Sequence, residues 1–364
     1  MRNTINLLDL SFDQLVEFFG RLDEPVSSAK ELWKYLYREF ESDFETMTSL
    51  SLSLREKLAQ SARPGLLEPL KEVVSEDGNT TKVLFKLDDG KTIESTLMLF
   101  RNPGTGRERR TVCVSSQVGC SIGCQFCATG QQGFERDLST GEIIGQLLYF
   151  IRRLGGKELT PGETRTGNRL TNVVFMGMGE PLANYENVMR AIAIINSPKG
   201  LNMGIRQVML STSGLVPEII QLSRENVQCH LAVSLHAAND DLRRQLVPIG
   251  RKYNLEKLMA ACKEYIGATG RNVYFEYTLF NGINDSIADA GELACLLSGL
   301  GCPVNLIPSY ETAAMGFSST PIEKAYAFQK RLIAGGIRTM LRASRGSDIE
   351  AGCGQLRSRW LTNR

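Results

Sequence analysis

The first 66 residues repeat apolar positions at the spacing of amphipathic helices. Apolar residues recur every three or four positions in segments near residues 9–19, 29–40 and 51–62. That spacing places the apolar side chains on one face of each helix. Pro64, followed by a glycine, ends the pattern. We therefore predict a helical domain over residues 1–66.

Residues 67–110 switch to β-type patterning. Short runs rich in β-branched residues are separated by two turn sequences, Glu-Asp-Gly-Asn at residues 76–79 and Asp-Asp-Gly at residues 88–90. Glycine-containing turns between such runs are typical of β-hairpins. The stretch predicts a small β-hairpin region that ends in an arginine-rich loop at residues 101–110.

From residue 111 onward, apolar runs of strand length alternate with helical segments. We predict strands at residues 111–115, 172–176, 207–211, 230–234, 272–277, 304–307 and 338–342. We predict helices at residues 142–154, 185–196, 255–265, 289–297 and 322–332. Alternating β and α segments predict an α/β fold built on a parallel sheet or an open barrel.

Composition narrows the class of protein. The chain has 364 residues, of which 42% are hydrophobic and 23% charged, with a formal net charge of +2. These values are typical of a soluble globular protein, and any nucleic-acid contact must come from local basic patches. We see no secretory signal and no apolar run of about 18 residues, so we predict a cytoplasmic protein without a membrane span.

Three of the nine cysteines form a cluster. Cys120, Cys124 and Cys127 lie within eight residues, directly after a predicted strand. Three thiolates can hold three irons of a 4Fe–4S cubane, which leaves the fourth iron open for a chelating ligand. Glycines at positions 119, 123 and 130 allow the backbone to wrap closely around such a group. The spacing predicts a redox-active iron–sulfur cluster whose open iron can be chelated by a ligand with an amine and a carboxylate.

Two other interpretations of the cluster remain open from spacing alone. The cysteines could be small buried hydrophobic residues, or three ligands of a zinc site. No Cys or His pair follows at the distance of a zinc ribbon. An iron–sulfur or zinc protein without catalytic activity, such as an electron carrier or an RNA-binding module, is the corresponding alternative function.

Six motifs occur in order along the chain. They are Val-Ser-Ser-Gln-Val-Gly-Cys at 114–120, Cys-Ala-Thr-Gly-Gln-Gln-Gly-Phe at 127–134, Met-Gly-Met-Gly-Glu-Pro at 176–181, Ser-Thr-Ser-Gly at 211–214, Ser-Leu-His-Ala at 234–237 and Ala-Gly-Cys-Gly-Gln-Leu at 351–356. In these motifs the chain resembles, over residues 7–358, the RlmN-type RNA adenine-C2 methyltransferases of the radical S-adenosylmethionine (SAM) superfamily. The resemblance implies that the cluster binds and cleaves SAM.

The resemblance implies a domain organisation. It implies a helical accessory domain for RNA binding over residues 1–66 and a β-hairpin linker region over residues 67–110. Residues 111–364 would form a partial (βα)6 radical SAM barrel that includes the C-terminal cysteine segment.

The resemblance also implies the SAM contacts. By themselves, the residues near Glu180 suggest a turn at a strand end, and His236 suggests an ordinary core or surface histidine. The other histidine, His230, has no motif support. In the resembling family the corresponding positions contact SAM, and these are Gly179, Glu180, Ser211, Ser234, Leu235 and His236.

Three further residues acquire a role only through the resemblance. Taken alone, Cys113 and Cys353 are expected to be structural, and Glu94 suggests a solvated strand position. In the resembling family, the cysteine that corresponds to Cys353 is methylated and carries the methyl group to RNA. Cys113 would form a disulfide with Cys353 to release the product, and Glu94 would remove the C2 proton.

This chemistry has a physical reason. The C2 carbon of adenine is not nucleophilic, so it cannot attack a sulfonium methyl group. One SAM would methylate Cys353 by displacement, and a second would give a 5′-deoxyadenosyl radical that removes hydrogen from the S-methyl group. The resulting methylene radical adds to the base. Two SAM molecules are therefore consumed for each methylation.

The RNA partners also follow from the resemblance. They are an adenine of 23S ribosomal RNA and the adenine next to the anticodon in tRNA, and the base must be unstacked to reach the site. A flavodoxin-like electron donor and a monomeric state are expected. Candidate phosphate contacts, which are equally compatible with a solvated loop and tail, are Arg101, Arg107, Arg109, Arg110, Arg357, Arg359 and Arg364.

The sequence departs from the family at one position. Tyr310 stands where the family has an Asn that contacts SAM, so we do not assign that contact. The nearest rival activity is C8 methylation by enzymes of the Cfr type. The Gln-Gln-Gly-Phe sequence at residues 131–134 favours the C2 type. The remaining cysteines, expected to pack in the core, are Cys229, Cys262, Cys295 and Cys302.

Overall fold

The computed structural model describes residues 4–101, 104–155, 169–225, 227–308, 316–342, 346–352 and 355. The α-helices in these residues are α1 (Phe12–Gly20), α2 (Val26–Lys34), α3 (Leu52–Ser61), α4 (Ala128–Gln131), α5 (Thr140–Gly155), α6 (Tyr185–Asn196), α7 (Val216–Arg224), α8 (Asp240–Leu246), α9 (Leu255–Thr269), α10 (Ile287–Leu297) and α11 (Ile322–Ala334). The strands are β1 (Ile5–Asn6), β2 (Ala62–Arg63), β3 (Glu68–Val74), β4 (Thr80–Lys86), β5 (Thr92–Arg101), β6 (Glu108–Cys113), β7 (Gln117–Gly119), β8 (Phe134–Asp137), β9 (Asn172–Phe175), β10 (Val208–Thr212), β11 (His230–Ser234), β12 (Val273–Leu279), β13 (Val304–Pro308) and β14 (Thr339–Leu341).

One large sheet organises the described residues. Its strand order is β3-β4-β5-β6-β9-β10-β11-β12-β13-β14, so two strands remain as open edges. From β6 to β14 every neighbouring pair is parallel, and α6 to α11 provide the crossovers between β9 and β14. Sequential parallel strands joined by helices form an open α/β barrel sheet. The predicted α/β fold class is confirmed.

The parallel strands are short and apolar because helices cover them. Strand β11 buries Leu231, Ala232 and Val233 completely, and strand β12 buries Val273 and Phe275 to the same extent. Such continuous apolar runs are typical of parallel strands that are buried on both faces. Leu231, Val233, Val273 and Phe275 belong to one hydrophobic core that extends through the described part of the chain.

The β-hairpin region continues the same sheet. Strands β3, β4, β5 and β6 are antiparallel to one another, and β6 then pairs in parallel with β9. Residues 108–110, which the sequence predicted as loop, pair with residues 99–101 and extend β6. Pairing with β5 overrides the arginine-rich composition because it satisfies the backbone hydrogen-bonding groups.

The N-terminal helices pack against the α/β core. The Trp33 indole N–H donates to the Lys199 carbonyl at 2.8 Å, and the Gly141 amide donates to the Asp9 carboxylate at 2.6 Å. Phe12 contacts the Trp33 ring edge-on, with the ring centroids 5.5 Å apart. These contacts fix α1 and α2 beside α5 and the segment that follows α6. None of the described helices is both long enough and apolar enough to span a bilayer.

Candidate active site

A cavity of about 160 Å³ opens at the carboxyl ends of the parallel strands. It is lined by residues at the ends of β9, β10, β11, β12 and β13 and by the loop between β7 and α4. This edge is where α/β barrels place their functional residues. The three clustered cysteines and most of the expected SAM contacts line this one cavity. They are Cys120, Cys124, Cys127, Gly179, Glu180, Ser211, Ser234 and His236.

The cysteine loop is shaped by backbone geometry. Gly119 has φ +75°, and a side chain there would collide with the Gly133 carbonyl. The Cys120 amide donates to that same carbonyl at 2.9 Å, and Cys127 is the N-cap of α4. A glycine at position 119 therefore lets the loop fold back tightly against residue 133. The fold places the three thiols on the cavity wall in this way.

Burial holds the three thiols in the protonated form. It raises the pKa of Cys120 to about 12 and raises the pKa values of Cys124 and Cys127 above their ordinary value. Metal ligation requires thiolates, so cluster binding must displace these protons. Among the described residues, no three Cys, His or carboxylate groups converge on a single metal ion. A cubane does not require this, since each thiolate binds its own iron, and three thiols beside a cavity fit a 4Fe–4S cluster.

Glu180 presents a buried carboxylate to the cavity. It accepts hydrogen bonds from the Ser213 amide and hydroxyl, both at 2.7 Å, and from the Leu182 amide at 3.1 Å. Burial raises its pKa, while the hydrogen bonds from Ser213 and Leu182 oppose that shift. A buried carboxylate of this kind gains stability from a cationic ligand, so the position suits the ammonium group of an amino acid.

Two glycines bring the backbone close to the cavity. A side chain on Gly177 would lie 2.7 Å from the Val114 carbonyl oxygen, and one on Gly179, where φ is +100°, would lie 2.5 Å from Cβ of Gln117. The Gln117 side chain also accepts the Glu180 amide hydrogen at 2.8 Å. The segment from Gly177 to Glu180 is therefore fixed against β7 and the residues before it.

His236 is a neutral histidine with a defined tautomer. Its Nδ1 accepts the Thr278 amide hydrogen at 3.0 Å, which leaves the ring hydrogen on Nε2. Phe126, between two of the cluster cysteines, packs edge-on against the ring at 4.8 Å. Burial lowers the pKa of His236 to about 3, with a further contribution from the charge of Arg243. The imidazole can therefore act as a hydrogen-bond donor near pH 7.

The depressed pKa of His236 predicts acid sensitivity of the fold. The unfolded chain protonates this histidine near pH 6.5, whereas the folded chain does so near pH 3. Stability is therefore lost as the pH falls from about 6.5 toward 3. Between pH 7 and 5, wild type should lose about 2 kcal/mol more unfolding free energy than His236→Asn. Denaturant unfolding at both pH values measures the difference.

His230 provides the matched control for this measurement. It is half-buried, and its pKa is lowered by burial and by the charges of Arg271 and Arg206. His230→Asn should keep most of the wild-type acid sensitivity. Equal acid sensitivity in His236→Asn and wild type would show that His236 is not the group responsible.

Leu235 is the remaining expected SAM contact, and unlike the others it is not part of the cavity wall. Its side chain is completely buried in the hydrophobic core and does not line the cavity. Its amide donates to the Glu276 carbonyl at 3.0 Å. Leu235 therefore reaches the site only through its chain neighbours, the cavity-lining residues Ser234 and His236.

Glu94 and Cys113 lie on the neighbouring strands β5 and β6. Both are buried, so Glu94 does not occupy the solvated position that its isolated sequence context suggests. The Ser115 hydroxyl donates to the Glu94 carbonyl at 2.6 Å and accepts the Met178 amide hydrogen at 2.9 Å. This hydroxyl connects the backbone of Glu94 to the segment that leads into Glu180. Neither Glu94 nor Cys113 is among the residues that line the cavity.

Several predicted residues lie outside the described part of the chain. These are Cys353, Tyr310, Arg357, Arg359 and Arg364. In the described part, Arg101, Arg107 and Arg109 are exposed. Arg109 stacks over the Phe100 ring at 4.4 Å. Cys295 is exposed on α10, so the prediction that it packs in the core is wrong, whereas the other three cysteines of that group are buried.

No sequence pattern indicated a second group of polar residues near the cavity. On β12, the Glu276 carboxylate accepts from Asn305 at 2.8 Å and from Arg342 at 3.2 Å. On α8, the Arg243 guanidinium donates to the Ser213 carbonyl at 2.6 Å. These partners come from different strands and helices, so no local spacing could reveal them.

Comparison with known proteins agrees with this geometry. The family model described as "Radical SAM superfamily" matches residues 114–294. A second model, described as "Ribosomal RNA large subunit methyltransferase N-terminal domain", matches residues 5–63. The two matches cover the helical N-terminal region and the part of the chain that contains the cavity's cysteines.

Full-length relatives and a solved structure extend the comparison. The chain is 44% identical to a probable dual-specificity RNA methyltransferase RlmN of Moorella thermoacetica, over 98% of each chain. It is also 44% identical to a protein of the same description from Thermotoga neapolitana, over 97% of each chain. A crystal structure of a radical SAM methyltransferase from Sphaerobacter thermophilus superposes with a TM-score of 0.90 at 46% identity, and the match covers 97% of this chain and 99% of that chain.

The superfamily match also identifies the cofactors. Radical SAM proteins use a 4Fe–4S cluster and SAM, and the donor set of this cavity fits both. The similarity to the relatives spans essentially the whole chain. This chain belongs to the RlmN family of radical SAM RNA methyltransferases.

Proposed function

We propose that the protein methylates C2 of adenine in 23S ribosomal RNA and in tRNA, at the adenine next to the anticodon, through an S-methylcysteine on Cys353. One observation carries the proposal. The three cluster cysteines and the buried Glu180 line a single cavity. The Ser115 hydroxyl hydrogen-bonds both to the backbone of Glu94 and to that of Met178, in the segment that leads into Glu180. A radical source, a SAM site and a general base would thus lie at one end of the sheet.

The residues of the cavity would hold the two cofactors. Cys120, Cys124 and Cys127 would bind the cluster, which, when bound and reduced, supplies the electron for reductive cleavage of SAM. The Glu180 carboxylate would accept the SAM ammonium group. Ser211 and the Ser234–His236 segment would orient the rest of SAM, with the His236 Nε2–H as a fixed donor.

Cys353, Cys113 and Glu94 would perform the transfer. The Cys353 thiolate displaces the methyl group from one SAM, and S-adenosylhomocysteine leaves. After hydrogen removal, the methylene carbon on Cys353 bonds to C2 of adenine. Glu94 takes the C2 proton. Cys113, as a thiolate, would then bond to the Cys353 sulfur as the bond between that sulfur and the methylene carbon breaks. The methylene carbon would gain a proton to become the methyl group, and one electron would pass to the oxidised cluster. A reductant would reopen the Cys113–Cys353 disulfide.

The surrounding regions would serve RNA binding. We propose that residues 1–66 form an accessory RNA-binding domain, that residues 67–110 form a linker region, and that residues 111–364 form the catalytic core. Exposed arginines such as Arg107 and Arg109 would contact phosphates. We also propose a cytoplasmic monomer that takes electrons from a flavodoxin-like donor.

The position of the transferred methyl group on the RNA base tests the proposed function. The anaerobically reconstituted, reduced protein is incubated with ribosomal RNA and tRNA and with methyl-labelled SAM, and nucleosides are analysed by mass spectrometry. We expect labelled 2-methyladenosine in both RNAs. Labelled 8-methyladenosine alone would establish the Cfr-type alternative instead, and the absence of any SAM cleavage would exclude radical catalysis.

Glu180→Gln should weaken SAM binding. The charge-assisted hydrogen bond to an ammonium group contributes about 1.5–3 kcal/mol, so affinity should fall roughly 10- to 100-fold. Equilibrium dialysis on the reconstituted protein measures the dissociation constant. Glu186→Gln, on the exposed face of α6, is the control and should bind SAM like wild type. Unchanged affinity in Glu180→Gln would remove Glu180 from the SAM site.

A further inference from the structure

Arg243 is a buried cation that makes no contact ion pair with a carboxylate among the described residues, although the charge of Asp240 on the same helix favours its protonated form. It projects from α8 and is completely inaccessible to solvent. Its guanidinium donates to two backbone carbonyls, that of Ser213 at 2.6 Å and that of Tyr253 at 3.4 Å. Its Nε is buried and has no acceptor in the described structure. Burying a permanent charge is costly unless an anion compensates it.

Two glycines leave room for the Arg243 guanidinium. A side chain on Gly214, where φ is +107°, would lie 3.0 Å from one guanidinium nitrogen of Arg243. One on Gly250 would lie 3.2 Å from the other. Both glycines therefore border the guanidinium closely. A buried charge enclosed so tightly, with no carboxylate in direct contact among the described residues, would be stabilised by a further anion nearby.

Helix α8 is bound directly to the cysteine loop. The Gln125 amide, between Cys124 and Cys127, donates to the Leu246 carbonyl at the end of α8 at 3.1 Å. Leu246 also belongs to a small apolar cluster against which Cys124 packs. Arg243 and Cys124 lie close enough for their charges to interact. Arg243 therefore lies on the helix that holds the cysteine loop.

Arg243 also contacts Ser213, a residue that hydrogen-bonds to the Glu180 carboxylate. The carbonyl that it binds belongs to Ser213, whose amide and hydroxyl both donate to the Glu180 carboxylate. The guanidinium thus helps to orient Ser213, a cavity residue that binds Glu180, and it does so from the helix that also holds the cysteine loop.

We propose that Arg243 is a positioning residue that supplies the countercharge of the iron–sulfur cluster and favours its reduced state. The inference rests on the proposed function. Three thiolates on an oxidised cubane core leave a net charge of minus one, and one added electron makes it minus two. A fixed cation buried near the cluster stabilises the more negative state and so raises the reduction potential.

Redox titration of the reconstituted protein, without RNA, tests the proposal. The reduced cluster is followed by electron paramagnetic resonance in wild type, Arg243→Met and Arg243→Gln. The neutral variants should show at least a tenfold lower ratio of reduced to oxidised cluster at a fixed potential, equivalent to about 59 mV for one electron. Arg243→Lys, which keeps the charge, should recover most of the wild-type ratio.

Arg244 is the matched control on the same helix. It is exposed and pairs with Asp241, so Arg244→Met should leave the potential unchanged. A wild-type potential in either neutral variant overturns the proposal. If both neutral variants lose the cluster and Arg243→Lys keeps it, the charge requirement is supported, and if all three lose it, the role is structural and the proposal fails. A wild-type protein that takes up no cluster would instead overturn the proposed function.

Discussion

Replacing Cys124 with alanine should abolish cluster binding. The thiol lies on the cavity wall with Cys120 and Cys127, and its removal leaves a second iron of the cubane, in addition to the open one, without a protein ligand. Cluster content should fall by more than the roughly 10- to 100-fold typical of changes around a metal ligand. Iron and sulfide analysis after anaerobic reconstitution measures it, together with the loss of SAM cleavage.

Cys295→Ala is the appropriate control for that experiment. Cys295 is exposed on α10, whereas Cys124 packs against the apolar cluster beside the cavity. The control should reconstitute like wild type, since it removes a thiol without touching the cavity. Full cluster content in Cys124→Ala would show that the cluster is held by other ligands.

Replacing Cys353 with alanine should abolish RNA methylation while the cluster remains. The proposed mechanism needs this sulfur twice, as acceptor of the methyl group and as carrier of the methylene carbon. Loss of a covalent nucleophile reduces turnover on the order of 10⁴-fold or more. Labelled methyl transfer to RNA measures activity, and iron content measures the cluster.

SAM cleavage and RNA methylation, both measured in Cys353→Ala, distinguish methyl transfer through Cys353 from direct methyl transfer to RNA. The variant should still cleave SAM reductively, because the ligands Cys120, Cys124 and Cys127 are unchanged. Cys295→Ala should methylate RNA at the wild-type rate. RNA methylation that persists in Cys353→Ala would exclude an S-methylcysteine intermediate on this residue.

Hydrophobic periodicity predicted much of the fold. The helix expected at residues 185–196 is α6 (Tyr185–Asn196), and the strand expected at residues 230–234 is β11 (His230–Ser234). Both are strongly patterned and bounded by turn residues, so local preference and tertiary packing agree. The prediction of a final strand near residues 338–342 also matches β14.

Other elements needed the tertiary structure. Helices α7 and α8 are short, at nine and seven residues, and periodicity did not predict them. Short helices are stabilised mainly by packing, and α7 packs against α9. The start of β6 was likewise set by pairing with β5, across a segment whose arginines suggested a loop.

The sequence by itself determined the chemistry of the site. The spacing of Cys120, Cys124 and Cys127 predicted a cluster, and ordered motifs predicted the family that the full-length comparisons confirm. A ligand set contained in eight residues is local, so it can be recognised without knowing how the chain folds. The exposed Cys295 shows the limit of this approach, because apolar neighbours in sequence do not establish burial.

Only the tertiary structure decided which charges are buried together. Arg243 and Arg244 are neighbours in sequence, yet one is completely buried beside the cavity and the other is exposed. Glu94 is likewise buried within the sheet, although its local sequence suggests solvent. The cost of burying a charge depends on groups brought from distant strands and helices. The amino-acid sequence therefore identifies the cluster, whereas the tertiary structure determines which charged residues surround it.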